Sequence, residues 1–70
     1  MSVYGTAGYN GVIVVSIPKN SSAAYKGLQK GDVIISCENV PINNVDDFKK
    51  CKSIYSKKLK ILRKQKHFEI

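Results

Sequence analysis

Apolar residues come in short bursts along this chain, and each burst is cut off by glycine, proline or asparagine. "GVIVVSI" (residues 11–17) is β-branched almost throughout and sits between Gly11 and Pro18, which reads as a strand. Upstream, "SVYGTA" reads as a second strand, with "GYNG" as the turn between them, because Gly8, Asn10 and Gly11 tolerate positive φ. After the loop "PKNS", Ser21 is placed as a helix N-cap. Ala23 and Ala24 favour a short helix of small bulk, and Gly27 ends it in left-handed geometry with Leu28 folding back onto it. A helix of under two turns is stable only when packed on something else. Gly31-Asp32 is then a turn, with Asp32 bonding local amides, and Val33–Cys37 is a strand. Its unbroken apolar run predicts burial on both faces or a bend.

The second half changes period. "ENVPI" predicts a tight connection with Asn39 at positive φ, followed by a short edge strand at Pro41 and Ile42. "NNVDDFKKCKSIY" predicts the longest helix, capped by Asn44. Asp46 and Asp47 lie in the first turn and lysines fall later, which suits the helix dipole. Phe48, Cys51 and Tyr55 share one face at helical spacing, with Ile54 adding to it, while Val45, Lys49 and Lys52 share the neighbouring face. "KKLKILRKQKHFEI" alternates apolar and polar residues on both sides of a turn near Lys64-Gln65, which predicts a closing hairpin.

Composition narrows the class. Seventy residues, 43% hydrophobic, make one small domain with a modest core. The longest apolar run, Val12–Val15, is far short of a membrane span, and the start lacks the basic-then-apolar pattern of a signal peptide. Two cysteines and one histidine are too few ligands for a tetrahedral zinc site, so Cys37 and Cys51 are read as buried or half-buried free thiols, with no metal and no cofactor. The net charge of +7 is uneven: nine of the basic residues, and no acidic one, fall between Lys49 and Lys66. That surface could attract nucleic acid, another anionic polymer or a membrane surface. One arginine and few aromatics in that half argue against base recognition, so nucleic acid is the lesser expectation. Catalysis has less support still. His67 stands in a strand with no motif around it and is expected to face solvent, and "GTAGYNG" lacks the lysine and strand-to-helix context of a phosphate loop.

The spacing of these pieces resembles a PDZ domain of the bacterial kind, as appended to trypsin-like heat-shock, tail-specific and site-2 proteases. The matching elements are Gly11–Val15, Ser21–Ala24, Gly27-Leu28, Gly31-Asp32, Val33–Ile35, Pro41-Ile42 and Asp46–Phe48, with a similar closing hairpin. The resemblance implies an α+β fold: a small, mostly antiparallel, partly closed sheet of five or six strands with two helices. It also implies that the stretch "SSAAYKGLQKGDVI" is scaffold and that function lies elsewhere.

In that family an extended peptide, usually a C-terminus, is added as a strand between one sheet edge and the longer helix. Carried onto this chain, the strand side is Val3, Tyr4, Gly5 and Thr6, and the helix side is Val45, Lys49 and Lys52. The two lysines imply a preference for acidic peptides. Because only Met1 and Ser2 precede "VYG", the expectation is an N-terminally truncated domain excised from a longer protein, with few amides to hold a terminal carboxylate. The implied role is a non-catalytic, monomeric module that tethers or regulates peptide or protein partners beside a parent catalytic domain in cis, in the cell envelope or exported.

Overall fold

The computed structural model describes residues 2–5, 11–51 and 53–70, with Tyr55 described through its backbone alone. Six strands and two helices follow one another as β1 (Ser2–Gly5), β2 (Val12–Ser16), α1 (Ser22–Lys26), β3 (Val33–Cys37), β4 (Val40–Pro41), α2 (Val45–Lys50), β5 (Leu59–Arg63) and β6 (Lys66–Glu69). All pairings are antiparallel, in the order β1-β2-β3-β5-β6, with β4 attached to β3. Among the described residues this sheet stays open, whereas partial closure was expected. Of the expected "GYNG" turn, only Gly11 falls among the described residues.

The predicted punctuation is realised atom by atom. Ser21 Oγ accepts the Ala24 N–H at 3.2 Å and starts α1. Gly27, at φ 102°, donates to Ala24 O, and the Leu28 N–H reaches back to Ala23 O at 3.2 Å, closing a Schellman-type end. Leu28 is thereby turned into the core. Gly11 is required for a different reason: a Cβ there would lie 2.9 Å from Ile34 O and 2.9 Å from Val33 Cγ1, so β2 could not approach β3 with any larger residue. The core is Val12, Val14, Ala23, Leu28, Ile34, Cys37, Ile42, Ile54, Leu59 and Ile61, drawn from both halves of the chain.

The continuous apolar run of β3 resolves as a bend. Its register against β5 shifts between Ile34 and Ser36, so Ile34 and Cys37, three positions apart, are both buried. Two tight hairpins join β3 to β4 and β5 to β6. Glu38 and Asn39 have φ of 47° and 67° between paired Cys37 and Val40, and Lys64 and Gln65 have φ of 50° and 65° between paired Arg63 and Lys66. Both are primed two-residue turns, formed without the glycine that usually occupies them.

The long helix is shorter than expected. α2 stops at Lys50, Cys51 takes an extended conformation, Ser53 turns left-handed at φ 54°, and a single 3-10 turn follows at Ile54–Ser56. Residues 43–55 hold neither glycine nor proline to signal the break. Breaking there buries Ile54 in the core and brings Cys51 to the end of β3. Phe48, Cys51 and Tyr55 therefore do not form one continuous helical face.

Candidate functional site

The edge of the sheet at β1 meets α2. Among the described residues β1 pairs with β2 alone, so its other side is an open strand edge. Along β1, Val3 is half-buried against the core, while Ser2 and Tyr4 are exposed. Gly5 faces the helix: a Cβ built on it would sit 4.0 Å from Val45 Cγ2. The absence of a side chain at Gly5 leaves space between strand and helix at that point.

α2 is placed by its own N-terminus. Asn44 Oδ1 accepts the Asp47 N–H at 2.9 Å, and Asp47 Oδ2 accepts the Asn43 N–H at 3.0 Å, a reciprocal cap. Buried Ile42 just upstream anchors the approach. Val45 and Phe48 are half-buried against the core, and Lys49 is exposed one turn beyond Val45. The strand–helix corner thus sets Gly5 against Val45, with half-buried Val3 on the same strand and Tyr4 66% exposed. Thr6 and Lys52, expected in the same site, lie outside the described residues.

A second feature escaped sequence reasoning. Cys37 and Cys51 form a disulfide between the end of β3 and the C-cap of α2, where free thiols were expected. A separation of 14 residues does not by itself identify a pair; the premature end of α2 and the bend in β3 create it. Cys51 is half-buried beside the core, and its role is that of a cross-link rather than a small apolar filler.

Away from the groove, Asp32 is 1% exposed. Its carboxylate accepts the Gln29 N–H at 2.8 Å, as expected of a local turn, and also Arg63 Nε at 2.8 Å and Arg63 Nη2 at 2.7 Å. The same Nη2 reaches Gly27 O at 2.9 Å, and the guanidinium lies 5.6 Å from the centroid of Phe68. Burial alone would raise the Asp32 pKa, but the Arg63 hydrogen bonds, the Gln29 amide and the charge of Arg63 outweigh it and hold the carboxyl below its ordinary 3.8. The same pair raises the Arg63 pKa. This clasp ties α1 and its turn to β5, so these residues are structural. His67 is exposed on β6, as expected.

The architecture, a short helix closed by a Gly-Leu turn into the central strand and a second helix over an edge strand, can be compared with known families. The family profile of the PDZ domain matches residues 2–70. The chain belongs to the PDZ domain family. PDZ domains are non-catalytic protein-interaction modules, and this one shares 48% identity over 40 residues with the periplasmic serine endoprotease DegP of Salmonella typhimurium. The matched stretch is 57% of this chain and 8% of that protease. No described helix is long and apolar enough to cross a membrane.

Proposed function

We propose that this PDZ domain binds an extended peptide as an added strand along the outer edge of β1, lying against Val45 and Lys49 of α2. The observation that carries this reading is the open edge of β1 set beside α2 with Gly5 facing Val45. Main-chain groups of β1 supply the binding energy of such a complex, and the helix-side residues supply the selectivity. Val45 offers an apolar contact. Lys49 favours acidic side chains through a screened surface attraction.

β1 is four residues long, so few main-chain bonds are available and affinity is modest. A dissociation constant of roughly 100 μM, about −5.5 kcal/mol, is expected. In the parent protein the domain would tether or regulate peptides or protein partners for a catalytic domain in cis. The stretch shared with a serine endoprotease supports a protease as that parent. The periplasmic relative and the disulfide together support an exported or cell-envelope location, where disulfides persist.

The test is a titration of the labelled domain with acidic and basic hexapeptides, each with a free or an amidated C-terminus, followed by amide shifts. Shifts at residues 3–6 and 45–52, larger for the acidic peptides, are expected. Shifts confined to the basic hairpin of β5 and β6 would overturn the groove in favour of a general anion-binding surface. Loss of binding on amidation would show that a terminal carboxylate is recognised.

A further inference from the structure

The Cys37–Cys51 disulfide stands at the end of the helix that forms one wall of the groove. α2 has only six residues and none of them is buried. A helix of that length has no stability of its own. Its hold on the domain is uneven along its length: Ile42, the Asn44–Asp47 cap and half-buried Val45 fix the N-terminal end, and Phe48 packs at its middle. At the C-terminal end, where exposed Lys49 and Lys50 stand, the helix itself is attached through Cys51, whose N–H caps Phe48 O and whose sulfur is bonded to Cys37, with Ile54 entering the core three residues on.

The disulfide is also reachable. Cys37 and Cys51 line a cavity of about 260 Å³ between α2 and the β3–β4 hairpin. Lys50, Lys57, Glu38 and Asp47 stand around it. This is not the side of α2 that faces β1, since Val45 and Gly5 take no part in it. Lys50 and Lys57 favour the thiolate that leaves when a disulfide is opened, while Glu38 and Asp47 oppose it. A chemical event in this cavity therefore leaves the strand edge free and acts on the groove through the helix between them.

We propose that Cys37–Cys51 is a redox-addressable site and that its reduction by an external dithiol loosens the C-terminal half of α2 and weakens peptide binding at β1. This rests on the peptide-groove reading given above. The thiolate of the dithiol attacks the sulfur of Cys51, the less buried of the two cysteines. That forms a mixed disulfide and breaks the Cys37–Cys51 bond, and the Cys37 thiolate takes up a proton. The second thiol of the reductant then attacks the mixed disulfide and releases Cys51. Two electrons and two protons pass from the dithiol to the two cysteines, and the dithiol leaves as its own disulfide.

Dithiothreitol supplies the test on the 70-residue chain. Amide exchange is measured before and after reduction at Phe48–Cys51 and at Ile34 and Ile61 in the sheet, together with affinity for an acidic hexapeptide. Reduction is expected to accelerate exchange in α2 about tenfold while the sheet amides change less than about twofold. Peptide affinity should fall roughly fivefold. The double variant C37A/C51A should behave like the reduced protein without any reductant, which separates loss of the cross-link from effects of dithiothreitol.

Unchanged exchange in α2 after complete reduction overturns the proposal. So does reduction that proceeds only as fast as the sheet amides open, because the cavity then gives no access. Equal peptide affinity in both redox states, with α2 loosened, overturns the coupling to the groove. A loosened α2 in a domain whose β1 amides respond to no peptide in either state refutes the groove reading and supports the redox effect on the helix.

Discussion

The two helices of this domain are held in opposite ways. α1, at five residues, is pinned through its C-terminal turn by charge and hydrogen bonds: Arg63 bridges Gly27 O and the buried Asp32 carboxylate, and Leu28 fills the core behind them. α2, at six residues, buries no side chain completely and depends on its N-terminal cap, two half-buried apolar residues and a disulfide. The clasped corner adjoins the closing hairpin, whose β6 is the sheet's other edge. The lightly held one borders the β1 edge. Elements that admit ligands are drawn from the less stable parts of a fold, so the peptide reading proposed above calls for α2, rather than α1, as the groove wall.

The sharpest way to break the comparison is to remove the clasp. Asp32→Ala leaves Arg63 and the Gln29 amide without their partner, and should cost about 3 kcal/mol of stability by chemical denaturation, the lower end for a broken buried pair because Arg63 is partly exposed. The pH dependence has a defined sign. The folded-state pKa of Asp32 lies below its ordinary 3.8, so its contribution is fully present above that value and is lost as pH falls through the lower folded-state pKa. Asp32→Asn should flatten this part of the acid-unfolding curve, and an unchanged acid limb would place the sensitivity elsewhere.

Reduction of Cys37–Cys51 comes next. A cross-link spanning 14 residues contributes about 2–3 kcal/mol by restricting the unfolded chain. Thermal melts with and without dithiothreitol read this directly. A loss confined to global stability, with α2 amides keeping their relative protection, would show that α2 is held without the cross-link as firmly as α1 is by its clasp.

A smaller effect is expected at the groove. Lys49 is exposed and makes no described ion pair, so Lys49→Glu should leave the melting temperature within a degree or two while weakening an acidic peptide about threefold. Calorimetric titration at two salt concentrations would check this, with the difference shrinking as salt rises.

The smallest change concerns the closing hairpin, which belongs to the rigid side. Lys64 and Gln65 both adopt positive φ without glycine or asparagine to ease it. Replacing them with Asn-Gly should stabilise the domain by about 0.5 kcal/mol, visible as a slightly higher denaturation midpoint. No gain would indicate that the Arg63–Phe68 contact beside the turn already fixes its geometry.

Local chemistry in the sequence was enough for α1 with its two caps, the positive-φ site at Asn39 and the turn at Lys64-Gln65. In each case the signal lies within a few residues: a hydroxyl three positions before an amide, a glycine after two alanines, an alternating pair of strands. The spaced pattern from Gly11 to Phe48 carried the family because its glycines and small residues report backbone conformations and close approaches that few folds require together.

Three features were decided by tertiary structure alone. α2 ends at Lys50 because Ile54 has to reach the core, and nothing between residues 43 and 55 announces that demand. Cys37 meets Cys51 because β3 bends and α2 stops short, two events far apart in sequence. Asp32 finds Arg63 across 31 positions because the sheet lays β5 against β3. Hydrogen bonds within a turn are encoded by neighbours in the chain. A disulfide or a buried ion pair between elements distant in the chain exists only once the sheet has chosen its register.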